Sequence, residues 1–485
     1  MKIAVIGAGP AGITAAYKLS GEIETGKITQ LDVYEISNHI GGLSKSLEMW
    51  DQTVDLGPHR FFSQDPKINK LWLEVVEKEY DIVNRQTRIF YKNTFFDYPI
   101  QATNALRGLG LFEATLCVLS YLKQVVFPYK TTDTFESWVS NRFGKRLYRI
   151  FFKTYSEKLW GISCDQLDSD FASQRIKKLS LFEAVKNALL QGKNNKHATL
   201  VDQFAYPING TGSVYTKMAD KIISRGGKIH LNTGVEKVNT SGRQITGLEL
   251  NNGSTIEYDH VISSMPLSLL VTRLPETPYD IKEFAHSLKF RNTILVYLSI
   301  NKTELFNDQW LYVHSTELKM GRITNFRNWV PELYGNKQES ILCLEYWCNF
   351  EDPDWKMEDE ELIKLGTEEI LKTGLLGDGK VLEGKIVRIP RCYPVYFKGY
   401  KEKLKPIEDY LDTIKNLQVI GRYGAYKYNN QDHSILMGIM AAENIFEPGK
   451  NELWKINTDY EVYQESSKIT KTGLVSENAG KSDGS

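Results

Sequence analysis

The sequence lacks a charge excess: 60 Lys and Arg balance 60 Asp and Glu, for a formal net charge of +0. No overall positive field exists to attract a polyanion, so a nucleic-acid surface spread over the chain is excluded, while locally charged sites stay open. Cysteine is scarce. Cys117, Cys164, Cys343, Cys348 and Cys392 are odd in number and scattered, with no Cys-x-x-Cys pair and no Cys/His cluster at zinc spacing. This argues against a disulfide framework or a metal site, and reduced thiols in a cytoplasmic protein are expected. A secretory leader is not expected either, because Met1-Lys2 runs straight into the strand-like Ile3-Ala4-Val5-Ile6. Long charge-free apolar runs are missing. The most apolar stretch, Leu106 to Phe127, carries Arg107, Glu113 and Lys123, which are costly at a bilayer centre. Its Leu109, Phe112, Leu116, Leu119 and Leu122 fall at helical spacing, which reads as a packed or partly exposed helix, or as a peripheral membrane contact.

What is present is an ordinary globular composition, 41% hydrophobic and 25% charged over 485 residues, enough for roughly three structural units. Residues 1–62 read as strand, glycine turn, helix, strand and loop. Residues 65–200 look mainly helical. Short strands are expected at Lys228–Asn232, Val235–Asn239, Ile245–Leu250 and Thr255–Ser263, with Asn252-Gly253 as a hairpin turn before the last. Further strands are expected at Thr293–Ile300, Ile341–Tyr346 and Leu417–Ile420, and a helix at Ser434–Ile445. The polar tail, 464–485, is expected to be without structure.

The sharpest motif is Ile3-Ala4-Val5-Ile6-Gly7-Ala8-Gly9-Pro10-Ala11-Gly12, a strand feeding a Gly-x-Gly-x-x-Gly turn that opens a helix. Gly7 permits the tight turn, Gly9 lets a pyrophosphate approach the helix N–H groups, and Gly12 allows close helix–strand packing. A second strand, Leu31–Tyr34, ends in Glu35, whose carboxylate suits a ribose. Gly41-Gly42, Leu43 and Ser44 follow. Together these resemble the large FAD-containing family that includes amine oxidases, phytoene desaturases and UDP-galactopyranose mutases. Leu43 stands where most amine oxidases have Arg, which points away from that branch. Gly226-Gly227-Lys228-Ile229 leads to Val235, whose backbone in relatives meets the adenine. Gly421-Arg422 ends a late strand before a helix whose N-terminus in relatives approaches the flavin and ribityl chain. The implied architecture is α/β: a Rossmann-like FAD-binding domain assembled from discontinuous segments (1–66, 205–275 and 405–450), a mainly helical insertion (67–204) and a mixed β-sheet substrate domain (276–404).

Within that family the sequence resembles the mutase branch, on six patches. Gly57-Pro58-His59-Arg60-Phe61 is similar to the histidine loop over the flavin ring, where His59 is a candidate and the loop backbone can itself make the flavin contact. Asp97-Tyr98-Pro99-Ile100 is similar to an aromatic-Pro segment near the mutase active site. Tyr155-Ser156-Glu157-Lys158-Leu159-Trp160-Gly161 resembles a patch whose Tyr and Trp line the uridine pocket, here Tyr155 and Trp160. Arg175, and Arg322 in Gly321-Arg322-Ile323-Thr324 followed by Asn328-Trp329-Val330-Pro331, resemble the two arginines that face the substrate diphosphate. Guanidinium groups suit a diphosphate through paired, charge-assisted hydrogen bonds. The run from Gly421 to Ser434 is similar to a Tyr-basic-Tyr element joined to Asn-Gln-Asp-His-Ser, and Tyr393-Pro394 to a Tyr-Pro that sets a phenol beside the diphosphate.

The resemblance implies FAD as cofactor, active when reduced, held by the glycines with Glu35, Ser44, Val235, Gly421, Arg422, Asn430, Gln431, Asp432 and Ser434. Asp432 suits either the ribityl chain or a cap for the following helix. It implies a nucleotide-sugar substrate held by Tyr155, Trp160, Arg175, Arg322, Tyr393 and Tyr426. The implied reaction is redox-neutral interconversion of the pyranose and furanose forms of a UDP-galactose-type sugar for cell-surface polysaccharide biosynthesis, with reduced flavin N5 attacking the anomeric carbon. No second Gly-x-Gly fingerprint is found, so reduction would use the same cleft or an outside donor such as NAD(P)H. The rival expectation is a net oxidoreductase of the protoporphyrinogen oxidase, phytoene desaturase or amine oxidase type, which would need a wide apolar tunnel rather than an arginine pair.

Overall fold

The computed structural model describes residues 1–98, 102–176, 203–456 and 466–477. Its first strand, Lys2–Ile6, has Ile3, Ala4 and Val5 wholly buried, as a strand covered on both faces must be. It lies in the middle of a five-stranded parallel sheet ordered Leu417–Val419, His260–Ser263, Lys2–Ile6, Gln30–Tyr34 and Lys228–His230. Strands from three distant parts of the chain therefore build one Rossmann-like sheet, as expected. Helices Pro10–Ser20 and Gln431–Phe446 pack closely against each other. A Cβ on Gly438 would fall 2.5 Å from the Ala11 carbonyl oxygen.

Asn252-Gly253 turns between Gln244–Leu250 and Thr255–Glu257 in a three-stranded antiparallel sheet. The expected strand Thr255–Ser263 is split: its second half, His260–Ser263, leaves this sheet and pairs with Lys2–Ile6.

A seven-stranded mixed sheet runs Val381–Pro394, Phe290–Ile300, Ser340–Cys348, Arg322–Asn325, Trp310–Val313, Thr87–Tyr91 and Thr94–Asp97. Period-2 alternation sorts its side chains. Ile294, Val296 and Leu298 join the core under helix Asp359–Lys372, while Leu295 and Tyr297 join the core shared with the helices of the insertion. The segment 67–204 is thus not only helical, since it lends two strands to this sheet and pairs Tyr80–Asn84 with Gln203–Pro207.

The polar tail is a correction. Ser466–Thr470 and Gly473–Glu477 form a hairpin that packs on helix Pro66–Val76, with Asn69 Nδ2 donating to Ser467 Oγ at 2.9 Å and Tyr80 donating to the Thr470 carbonyl at 2.6 Å. Among the described residues no helix is long and apolar enough to cross a membrane.

Candidate active site

One cavity of about 1280 Å³ runs from the glycine turn of the parallel sheet to the face of the seven-stranded sheet. At the first end, Gly7 has φ +97°, and a Cβ on Gly12 would fall 2.0 Å from the Gly7 carbonyl oxygen, so the helix meets the turn with no space for a side chain. Gly9 and Gly42 also touch: a Cβ on Gly42 would lie 3.0 Å from the Gly9 Cα. Gly12 and Gly41 stand behind the wall, while Gly7, Gly9, Gly42, Ser44, Val235, Gly421 and Arg422 line it. Glu35 lines it as well, and its carboxylate accepts from the Ala8 N–H (2.8 Å) and the Ser37 N–H (2.9 Å), bracing the turn.

Two helix N-termini end on the cavity without side-chain caps, at Gly9 and at Asn430. Their free N–H groups make this end suited to an anion. Asn430 is the N-cap residue, so Asp432 does not cap the helix; it sits in the first turn with Oδ1 2.8 Å from His433 Nδ1. Asn430, Gln431, Asp432 and Ser434 all line the cavity.

The other end is charged and aromatic. Arg322 donates from Nε and Nη2 to the two oxygens of Glu345 at 2.5 and 2.6 Å, and from Nη2 to the Tyr393 hydroxyl at 3.4 Å. Burial works against the Arg322 charge, but Glu345 outweighs it and holds the guanidinium protonated. Arg422 donates to the Cys392 carbonyl (3.2 Å) and the Asn429 carbonyl (3.1 Å). Its guanidinium lies 4.7 Å from the Tyr393 ring centre and 4.5 Å from that of Tyr428, and these two rings stack. Tyr393 therefore stands beside both arginines. Tyr155 lies flat against His314, with centroids 5.0 Å apart and planes 21° apart, and meets Tyr312 edge-on. Burial, then Lys158, pushes the His314 pKa down to about 3. His59 sits by the arginines with Nε2 3.0 Å from the Leu56 carbonyl oxygen. Burial, then Arg322 and Arg422, pushes its pKa down to about 4, so it is a neutral imidazole that donates Nε2–H to that carbonyl.

Three expectations need correction or restriction. Tyr426 is off the cavity: it is fully buried, with its hydroxyl 2.7 Å from the Lys289 carbonyl oxygen and 2.8 Å from that of Val395. Its backbone has φ +52°, which turns the side chain into the core, and Tyr428 lines the cavity instead. Trp160 lies behind the wall, edge-on to Phe171, Tyr393 and Tyr428. Five residues along a helix is about 140° of rotation, so Trp160 and Tyr155 cannot share a face. Arg175 is on helix Ser169–Ile176, but its side chain lies outside the described residues, as do Pro99 and Ile100.

Sequence reasoning missed Glu345, Tyr428, Tyr312 and His314. Glu345 carried a readable signal, as an acid in the apolar run Ile341-Leu342-Cys343-Leu344-Glu345-Tyr346-Trp347. Tyr428 is the second tyrosine of the Tyr-basic-Tyr element, of which sequence reasoning names Tyr426 alone as a site residue; Tyr312 and His314 had no signal stronger than being aromatic.

Residues 10–380 match the family described as flavin containing amine oxidoreductase. The chain belongs to that family. FAD is the cofactor of this flavoprotein. Its sequence is similar to 15-cis-phytoene desaturase of Glycine max, 23% identical over 92% of this chain and 79% of that one. It is also similar to coproporphyrinogen III oxidase of Bacillus subtilis (strain 168), 21% identical over 84% of this chain and 90% of that one. Its fold is similar to that of reduced UDP-galactopyranose mutase, with a TM-score of 0.82 and 22% identity, covering 93% of this chain and 96% of that one. The cradle fits FAD on its own terms: glycines that admit no side chain, two uncapped helix N-termini, the Glu35 carboxylate, and the buried Asn429 Oδ1, which has no hydrogen-bond partner among the described residues.

Proposed function

We propose that the flavoprotein is a mutase interconverting the pyranose and furanose forms of a nucleotide sugar of the UDP-galactose type, in cell-surface polysaccharide biosynthesis. One observation carries the reading: Tyr393 stands between two half-buried guanidinium groups, Arg322 and Arg422, on the cavity that also holds the flavin cradle. An oil-like substrate would leave these charges against an apolar surface, whereas a diphosphate accepts their hydrogen bonds.

The chain's part is binding and charge. Arg322 and Arg422 hold the diphosphate and stabilise it as it leaves the sugar. Tyr393 and Tyr428 donate to its oxygens and fix its position. Tyr155, backed by His314, offers a flat face on which a uracil ring stacks. His59, neutral and committed to the Leu56 carbonyl, shapes the pocket without exchanging a proton near neutral pH. Bound reduced flavin supplies the electron pair for bond making at the anomeric carbon. Orientation against it is the rest of the catalysis.

The test is incubation of dithionite-reduced, FAD-loaded protein with UDP-galactopyranose and UDP-galactofuranose, followed by chromatography. Interconversion by the reduced form and none by the oxidised form is expected. A second reading has two observations behind it: Glu345 already compensates Arg322, and the sequence relatives include a desaturase and a coproporphyrinogen oxidase. On that reading the chain is a net oxidoreductase acting on an apolar or amine substrate. Oxygen-consuming oxidation of such a substrate, with no turnover of nucleotide sugars, would decide for it.

A further inference from the structure

The helix Leu111–Val126 is apolar on the wrong side. Its packed face is Ala114, Cys117 and Gln124. Its outward face carries Leu111, Phe112, Val118, Leu119, Leu122 and Val126, with Leu111 85% exposed and Leu119 55% exposed. Folding leaves this stripe, about 24 Å long for 16 residues, uncovered. Phe127, 72% exposed, extends it past the end of the helix.

The charge balance of the segment that carries the stripe decides what covers it. Glu113, the helix's acid, is turned back onto Arg146 at 2.5 Å. Residues 111–153 hold seven Lys and Arg against three Asp and Glu, in a chain whose totals are 60 and 60. Lys123, Lys130, Arg142 and Arg149 are exposed, and no ion pair is recorded for them among the described residues. Two copies meeting through this face would bring like charges together. A surface that is anionic outside and apolar just beneath satisfies both the stripe and the basic segment that carries it.

We propose that this helix docks the protein on the surface of an anionic lipid bilayer, lying in the interface plane with its Leu/Phe/Val stripe among the acyl chains. The docking helix is joined to the cavity wall through two contacts. Phe152 of the cavity wall stacks on Phe143 at 5.1 Å, and the next residue, Gly144, packs against Tyr121 of the docking helix. The proposal is independent of the reaction assigned above.

The experiment is flotation of the FAD-loaded full chain with vesicles of equimolar phosphatidylcholine and phosphatidylglycerol, and with phosphatidylcholine alone. The wild type is expected to float with the mixed vesicles, to float far less with phosphatidylcholine alone, and to be partly released by salt. Leu119→Ser with Leu122→Ser should cut the bound fraction roughly tenfold while flavin content and melting temperature hold, because both positions are exposed. Lys123→Gln with Lys130→Gln should weaken binding to the mixed vesicles alone, a second readout should the leucine variant misfold. Failure of the wild type to float, flotation untouched by both pairs of substitutions, or a stable dimer in sedimentation that Leu119→Ser with Leu122→Ser dissociates would each overturn the proposal.

Discussion

Arg322 and Glu345 face each other directly across neighbouring antiparallel strands, and their side chains close a two-point ion pair at the cavity wall. Removing one member of a buried pair leaves the other charge alone, at a cost of about 3–5 kcal/mol. Arg322→Ala should therefore lower stability by that order, and the double variant Arg322→Ala with Glu345→Ala should recover part of the loss. Thermal melts check both. In the same Arg322→Ala variant, calorimetric titration should show UDP affinity reduced while FAD stays bound; unchanged affinity would remove Arg322 from the diphosphate site.

The two tyrosines Tyr426 and Tyr428 should separate cleanly. Tyr426→Phe strips a donor from two buried carbonyls and should cost about 1–3 kcal/mol of stability with ligand affinity intact. Tyr428→Ala removes one of the two rings against Arg422 and should lower UDP affinity with a smaller change in stability. Parallel melts and titrations of the pair are the measurement.

Why the sequence points to Tyr426 when Tyr428 lines the cavity is a matter of geometry. The glycine fingerprint, Glu35 and the late Gly421–Ser434 run are legible because fixed short spacings set their backbone positions. The choice between Tyr426 and Tyr428 turns on a single positive φ, which the residue type does not announce. The Arg322–Glu345 pair depends on strand register across 23 positions. The split of Thr255–Ser263 depends on the neighbour that each half finds. The C-terminal hairpin is polar in composition, and the contacts that hold it come from distant residues such as Asn69, 398 positions away, and Tyr80.

Gly12 offers a direct test of the cradle. Gly12→Ala would place a methyl 2.0 Å from the Gly7 carbonyl oxygen, so helix and turn must move apart. FAD retention through purification, read as the ratio of flavin to protein absorbance, should fall roughly tenfold, with the turn no longer shaped for pyrophosphate.

Acid should weaken the fold through His314. Its folded pKa of about 3 lies below the ordinary 6.5, so between these values the unfolded chain binds a proton that the folded one does not. The sign follows: stability is level above pH 7 and is lost as pH falls, by about 2 kcal/mol at pH 5 from this residue. Melting temperatures from pH 8 to pH 5 should drop less in His314→Gln than in the wild type. Equal slopes would show that His314 is not the source.

The parallel sheet also fixes an order of events during synthesis. Strand Lys2–Ile6 is made long before its neighbour at residues 260–263, and the sheet is not complete until residues 417–419 join. The uncapped helix start at Asn430 that completes the cradle comes later still. A nascent chain thus carries an unpaired, largely apolar strand edge until residues 260–263 are made. Such long-range closure is slow and exposed to misassembly, so the yield of folded protein should depend on how the open edges of this sheet are shielded until residues 260–263 and then 417–419 join.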